Sequence, residues 1–430
     1  MTDGRPQVTA LPSGVRVVTE HVPSVRSIAL GFWVRTGSRD ETVEQAGISH
    51  LLEHLLFKGT DRFSSLEIDE AFDAMGAEVN AGTGKETTSV YARFLDHHLE
   101  RAFDYLQDMV LRPAYPEIDS ERQVVIEEIA MYEDEPADKV HDVLAAAVFG
   151  EHPLGRPVIG RADVVGSVPV AEIARYHDSH YTAPNMVVAA AGNIEHERLL
   201  DLVGAALEGT SPEGNGRLDP EPAPEGASPR LSFHRKDTEQ FHVCLGGTGI
   251  PRGDERRFAL RVLDTILGGS TSSRLFQEVR EKRGLAYAVY TFASQYLDSG
   301  HVGLYVGTRP DRVGEAMEAI GGELHRMVEE EVPAQELDRA RENVKGRTTL
   351  SMESTLARMN RLGSAVLTGL PLLSLDEVLA RIDAVGADDV AELARELYHP
   401  RRLSGACVGT DEGAFRKALD HVNPELGTTA

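Results

Sequence analysis

Short runs of β-branched and small apolar residues recur along the chain, each bounded by Gly, Asp or Arg. Runs of this length and composition are typical of β-strands. They are SIALGFWVRTG (27–37), TTSVYARFL (87–95), NMVVAAAGN (185–193), HVCLGGTGI (242–250), HVGLYVGT (301–308) and LSGACVGT (403–410).

Between these runs lie longer segments in which apolar residues recur with the spacing of an α-helix. The predicted helices are 46–58, 65–75, 97–111, 118–132, 257–267 and 333–350. Strands that alternate with helices in this way predict α/β sandwiches, in which helices pack on a sheet.

The chain repeats itself with an offset near 217 residues. A length of 430 residues is too great for one hydrophobic core, and the segment 210–230 is rich in Pro, Gly, Glu and Ser, as linkers are. We therefore predict an N-terminal half at 1–209, a linker at 210–230 and a homologous C-terminal half at 231–430. A chance alignment of apolar runs is the alternative, because the identities are sparse. The landmarks that match are Tyr181 with Tyr398, Gly192 with Gly409, and Pro116 with Pro333.

The composition is that of a globular protein with a strong negative charge. Lys and Arg number 44 against 69 for Asp and Glu, a formal net charge of −25 at pH 7. Such a chain repels nucleic acid and anionic membranes. The chain contains no secretory signal and no long apolar run, so we expect a cytoplasmic protein without membrane contact. The two cysteines, Cys244 and Cys407, are too few for a disulfide framework, and we expect both to be buried.

The segment GISHLLEHLLFKGT (47–60) contains the candidate chemistry. On a helix, His50 and His54 lie one turn apart on one face, with Glu53 beside them. Two imidazoles at this spacing are a common way for a helix to bind zinc, and a nearby carboxylate can act as a general base. The order His-x-x-Glu-His reverses the more familiar zinc motif.

A third ligand is expected from the predicted helix 118–132. At about 100° per residue, Glu121 and Glu128 fall within its apolar stripe, whereas Glu127 falls on the opposite side. An unpaired carboxylate in an apolar stripe costs several kcal/mol, so its presence indicates a bound cation. We predict Glu128 as the ligand, Glu121 as a supporting or substrate-facing residue and Glu127 as a solvated charge.

Purely structural explanations stay open for both motifs. The two histidines could face a polar pocket without binding a metal. Glu121 and Glu128 could pair with Arg93 or Arg122 instead.

The motif His50-Leu-Leu-Glu53-His54, followed 74 residues later by Glu128, resembles the pitrilysin (insulinase, M16) family of zinc metallopeptidases. The resemblance covers nearly the whole chain and holds particularly for the short bacterial members and the catalytic subunit of the mitochondrial processing peptidase. It implies an α+β fold of two homologous α/β sandwich halves with mostly antiparallel sheets, the LuxS/mitochondrial processing peptidase-like fold, around a chamber for extended peptides. Further matching segments are LLFKGT, NAGTGKETTSVY, HPLGRPVIG and LGGSTSSRLFQEVREKRGLAY.

The resemblance also implies roles for the residues of the first half. Zinc (Zn2+) would be bound by His50, His54 and Glu128, and Glu53 would be the general base. Glu121 matches an acidic residue on the same helix that supports activity.

Other implied roles fall on an edge strand and on the second half. Asn80, Ala81 and Thr83 match an edge strand that binds substrate through main-chain hydrogen bonds. Arg280 and Tyr287 match a pair that holds substrate and stabilises the tetrahedral oxyanion. Taken alone, these two are only an Arg near a helix end and a Tyr after Gly284.

The repeat limits the chain to one zinc ion. At offsets of 214 to 217 the second half has lost every ligand, since the positions equivalent to His50, His54 and Glu128 are Asp264, Gly268 and Lys345. The chain carries both the ligand set and the Arg-Tyr pair, so we expect a homodimer rather than a complex of different subunits.

The sequence therefore predicts a zinc-dependent endopeptidase that cuts short or unfolded peptides enclosed between its halves. Two alternatives stay open. The chain could be a non-catalytic peptide-binding or structural subunit, or a dedicated maturation protease for one precursor peptide.

Overall fold

The computed structural model describes residues 5–116, 118–209, 220–224 and 228–428. Most of the predicted linker at 210–230 lies outside these residues, so the linker stays a prediction. In the described part of the chain, no helix is both long and apolar enough to cross a membrane.

Contacts between residues divide the chain into two compact units. The first unit comprises Met1–Ile129, Pro157–Pro220 and Thr349–Ser374. The second unit comprises Ala130–Arg156, Glu221–Thr348 and Leu375–Ala430. Each unit thus contains one segment from the other half of the sequence.

The first unit is built on a mixed sheet. Its strands are β1 Gln7–Ala10, β2 Arg16–His21, β3 Ser27–Val34, β4 Glu78–Thr83, β5 Thr88–Leu95 and β6 Met186–Gly192. They are ordered β1-β2-β6-β3-β5-β4, so β4 lies at one edge. The β2–β6 pair is parallel, and the other pairs are antiparallel.

The second unit contains a similar sheet. Its strands are β7 Leu231–Arg235, β8 Phe241–Gly249, β9 Ala286–Gln295, β10 Gly300–Thr308 and β11 Ser404–Gly409. They are ordered β7-β11-β8-β10-β9, with β7–β11 as the parallel pair. The predominance of antiparallel pairs agrees with the prediction.

Helices cover both sheets. They are α1 Ile48–Leu55, α2 Ser65–Ala74, α3 Leu99–Leu111, α4 Ile118–Asp134, α5 Pro136–Phe149, α6 Ala162–Ser167, α7 Val170–His180, α8 His196–Ala206, α9 Arg257–Leu267, α10 Val313–Glu329, α11 Ala334–Ser351, α12 Thr355–Thr368, α13 Leu375–Asp383, α14 Ala387–Leu397, α15 Glu412–Leu419 and α16 Pro424–Thr428. A π-helical segment spans Phe276–Lys282.

In the first unit, the two faces of the sheet have different coverings. Strand side chains alternate between faces, so Leu30 and Phe32 of β3 join the main core with α1 and α3, while Ala29 faces the other way. This other face is covered by α12, a helix from the second half of the sequence. The contacting residues are Val18, Ala29, Val187, Ala189 and Ala191 of the sheet and Met359, Leu362 and Leu367 of α12.

The second unit shows the reciprocal arrangement. Its sheet is covered on one face by α5, a helix from the first half of the sequence. The contacting residues are Cys244, Tyr305, Ala406 and Val408 of the sheet and Val140, Leu144 and Val148 of α5. Cys244 and Cys407 are free and buried, as expected.

Candidate metal centre

The start of helix α1 is fixed by a left-handed glycine and by a buried carboxylate that binds the first backbone N–H groups. Gly47 precedes it with a φ of 103°, a left-handed conformation that favours glycine. The buried carboxylate of Glu41 accepts hydrogen bonds from the backbone N–H groups of Gly47 and Ser49, both at 2.8 Å. A negative charge at a helix N-terminus is favourable, so Glu41 fixes where α1 begins.

Helices α1 and α4 bring the three predicted ligands together. His50 and His54 lie one turn apart, with ring centroids 4.7 Å from each other. Their Nε2 atoms lie 3.7 and 3.4 Å from Oε2 of Glu128 on α4. The ligand atoms of the three residues all lie within 4.8 Å of one another.

A buried carboxylate orients the second histidine. Glu121 Oε1 accepts a hydrogen bond from Nδ1 of His54 at 2.8 Å, and its Oε2 pairs with Nζ of Lys58 at 2.9 Å. A carboxylate only accepts, so Nδ1 of His54 carries the proton and the Nε2 lone pair faces Glu128.

The predicted alternative partners of the two glutamates are engaged elsewhere. Arg93 pairs with Glu78, and Arg122 binds Asp119 and a backbone carbonyl. Glu127 is exposed, on the other side of α4.

The predicted general base lies beside the triad and is held by a threonine. Glu53 Oε2 accepts a hydrogen bond from the hydroxyl of Thr83 at 2.5 Å. Burial raises the pKa of Glu53, and its hydrogen bonds with Thr83 act in the opposite direction. A carboxylate with a raised pKa takes up a proton more readily, as a general base must.

The three residues suit zinc. The pKa of His50 is lowered to about 4, mainly by burial and to a lesser extent by the nearby His54. Its imidazole is therefore neutral near pH 7. Two neutral imidazoles and one carboxylate are a common ligand set for catalytic zinc, which keeps a further position open. Among the described residues, this is the one group of His, Cys, Asp or Glu side chains with such geometry.

The residues predicted to bind substrate lie on the edge strand β4. Asn80 is exposed, and its Oδ1 accepts a hydrogen bond from the backbone N–H of Ala81 at 2.8 Å. Thr83 ends the strand and contacts Glu53. Thr83 therefore contacts a residue of the candidate metal centre, whereas the Asn80 side chain contacts the backbone of its own strand.

Arg280 and Tyr287 lie together in the second unit. Arg280 is on the π-helical segment, and its Nη1 donates to the backbone carbonyl of Tyr287 at 3.0 Å. Its guanidinium also lies 4.5 Å from the centre of the Tyr287 ring, a side chain that is 78% exposed. The roles of this pair stay a prediction.

The equivalent positions in the second unit offer no ligand set. Lys345 pairs with Glu342 and Asp383 at 2.6 and 2.7 Å. Gly268 has no side chain, and Asp264 is the one carboxylate left at these positions.

Comparison with known proteins identifies the family. Residues 16–162 match the insulinase family (peptidase family M16), and residues 167–344 match the peptidase M16 inactive domain. The chain is 45% identical over 408 residues to an uncharacterized zinc protease of Streptomyces coelicolor, covering 93% of this chain and 89% of that protein. This chain belongs to peptidase family M16. Another M16 relative, an uncharacterized zinc protease of Mycobacterium tuberculosis, is 43% identical over 433 residues, or 98% and 97% of the two chains.

Solved structures confirm the fold predicted for an M16 chain. A protease from Helicobacter pylori superimposes with a TM-score of 0.90 at 22% identity, covering 95% of this chain and 100% of that chain. A peptidase M16 inactive domain from Pseudomonas fluorescens gives a TM-score of 0.88 at 21% identity, with coverage of 94% and 98%.

Two residues of the M16 site escaped the sequence analysis. Lys58 follows His54 by four residues, a spacing that puts it on the same face as His54 in the predicted helix 46–58, although the observed α1 ends at Leu55. Glu41 lies outside the usual capping positions, so no local signal indicated its contact with α1.

Proposed function

We propose that this M16 zinc protease is an endopeptidase for short or unfolded peptides, with zinc bound by His50, His54 and Glu128. The observation that carries the proposal is the convergence of these three ligand atoms within 4.8 Å, beside a glutamate that is not one of them. A non-catalytic subunit has no need of such a group.

Bound zinc supplies Lewis acidity, which polarises the peptide carbonyl and makes water more acidic. Glu53 then takes a proton from the attacking water and passes it to the leaving amine. Glu121 and Lys58 keep the Nε2 lone pair of His54 facing the metal position, through the contacts at 2.8 and 2.9 Å. These tasks fall to residues on α1, on α4 and in the turn after α1.

The edge of β4 supports a preference for extended peptides. An edge strand has unpaired main-chain groups, and a substrate that adds a further strand must be unfolded over several residues. Asn80 and Ala81 would bind such a strand. The Asn80 side chain accepts the hydrogen bond from the backbone N–H of Ala81. It has to move aside before a substrate strand can accept that hydrogen bond.

The Arg280–Tyr287 pair would hold substrate and stabilise the oxyanion, as the family resemblance implies. The support is its chemistry, since a cation stacked on an exposed phenol presents donors to an anionic oxygen. We also propose a homodimer, because the chain carries both the ligand set and this pair. A cytoplasmic location stays a separate proposal.

The test is to incubate zinc-loaded protein with a mixture of basic and neutral peptides and to analyse the products by mass spectrometry. Glu53→Gln is the matched control, and its zinc content is measured alongside. We expect internal cleavage that disappears in the variant while zinc stays bound. Cleavage of one peptide alone would favour the dedicated maturation protease, and equal cleavage by the variant would refute the role of Glu53.

A further inference from the structure

The contact between Thr83 and Glu53 joins the edge strand to the helix that carries the histidines. The Thr83 hydroxyl donates to Oε2 of Glu53 at 2.5 Å, and the Thr83 backbone N–H also binds this carboxylate. The hydroxyl and the backbone N–H of Thr83 are therefore both hydrogen-bonded to Glu53, each as a donor.

Strand geometry places the Thr83 side chain on the α1 side of the sheet. Successive side chains of a strand point to opposite faces, and along β4 exposed residues alternate with partly buried ones. Val79, Ala81 and Thr83 are the partly buried set, and Val79 and Ala81 pack against the main core with α1. Asn80 belongs to the exposed set.

We propose that Thr83 is a positioning residue for Glu53 and not a residue that binds substrate. Its hydroxyl holds Oε2 of Glu53 and so fixes the orientation of the carboxylate that takes the proton from water. This inference rests on the proposed role of Glu53 as general base. It reassigns Thr83, which the family resemblance groups with Asn80 and Ala81.

The expected effect is on turnover. A glutamate side chain has three rotatable torsions, and a general base contributes about 10²–10⁴-fold only when it lies within hydrogen-bond reach of its proton. Displacement of a reacting group by about 1 Å can cost about 10²-fold. Loss of the Thr83 hydroxyl should therefore lower kcat and leave peptide binding intact.

The test uses full-length, zinc-loaded chains. Thr83→Val removes the hydroxyl at nearly constant shape, and Thr83→Ser restores it. We expect Thr83→Val to lower kcat about 10- to 100-fold with KM within about 3-fold of the parent, and Thr83→Ser to recover most of kcat.

A binding measurement separates the two roles without using activity. The dissociation constant of a fluorescent substrate peptide is measured for zinc-loaded Glu53→Gln with and without Thr83→Val, and it should be unchanged. Zinc content and Tm are measured on the same samples and should also be unchanged. Thr83→Ala serves if the valine variant does not fold.

Several outcomes would overturn the assignment of Thr83. Weaker peptide binding with kcat preserved would return it to the substrate-binding group, and loss of zinc or of stability would make its role structural. A kcat that does not change would also contradict it. If Glu53→Gln itself cleaves normally, the general-base proposal fails first, which distinguishes the two failures.

Discussion

At the scale of single residues, the site is a set of carboxylates with different tasks. Glu128 faces the two histidines, Glu53 lies beside them, and Glu121 orients His54 through its Nδ1 atom. Glu121 and Glu128 differ in burial, since Glu121 is only 4% exposed whereas the side chain of Glu128 is 35% exposed. A buried carboxylate with two partners positions its neighbours, and a partly open one can bind a metal.

Glu121 should therefore govern zinc affinity without touching the metal. We expect Glu121→Gln to weaken zinc binding by about 10-fold, because the amide mimics only part of the pairing with His54 and Lys58. Competition against a fluorescent chelator measures the effect. Glu127→Gln, on the exposed side of the same helix, is the matched control and should bind zinc like the parent. Equal affinities for both variants would exclude this role for Glu121.

Asp40 gives a prediction for pH dependence outside the site. Burial raises its pKa from 3.8 to about 6. The folded chain therefore retains this proton to higher pH than the unfolded chain, and stability falls as pH rises through about 4 to 6. The stability of Asp40→Asn relative to the parent should rise by about 2 kcal/mol between about pH 4 and pH 7, measured by urea unfolding. A constant difference would contradict the raised pKa.

The sequence predicted the triad because both motifs are local. A helical spacing separates His50 from His54, and a helical wheel separates Glu128 from Glu127. The contacts of Thr83 and Lys58 could not be predicted, since they depend on how β4 and α4 pack against α1.

At the scale of elements, the apolar runs predicted six interior strands of the two described sheets and missed the interior strand β2 and the edge strands. Every residue of β6 is buried, and a strand buried on both faces is a continuous apolar run. Edge strand β4 alternates between exposed and partly buried residues and contains Asn, Gly and Thr, so its pattern is weak. Helix α1 starts at Ile48 rather than at the predicted residue 46 because Gly47 adopts a left-handed φ, and it ends at Leu55 rather than at residue 58.

Helix α12 contacts the first sheet so closely that one position allows no side chain. A Cβ on Gly363 would lie 2.3 Å from Nε1 of Trp33. We expect Gly363→Ala to lower the free energy of unfolding by about 1–3 kcal/mol, despite the higher helix propensity of alanine. Thermal unfolding measures it.

Gly204 in α8 provides the matched control for this prediction. A Cβ there would meet no atom within 4 Å. Gly204→Ala should therefore stabilise the protein by up to about 1 kcal/mol. If both alanines stabilise the chain alike, α12 does not pack as described.

At the scale of the whole molecule, the repeat predicted two similar architectures and not the exchange of helices between them. The apolar stripe of a helix shows that one face is buried, but it does not identify the sheet that buries it. The structure places α12 on the first sheet and α5 on the second. Glu20 on β2 pairs with Arg358 and Arg361, which fastens α12 to the first unit.

Because each sheet is covered by a helix from the other half of the sequence, we expect that neither half folds well alone. Residues 1–209 lack α12, so the apolar face formed by Val18, Ala29 and Val187 would be open to water. We expect this fragment to aggregate or to unfold without cooperativity in calorimetry. Co-expression with residues 220–430 should restore a soluble complex that unfolds cooperatively. A fragment 1–209 that is monomeric and unfolds in one sharp transition would contradict the exchange.

The central claim is that His50, His54 and Glu128 bind one zinc ion per chain. The most direct test is an anomalous difference map, recorded at the zinc absorption edge from crystals of zinc-loaded protein. The account predicts one peak per chain, about 2.0–2.2 Å from Nε2 of both histidines and from a carboxylate oxygen of Glu128. A peak at another site, or no peak after loading with zinc, would contradict it.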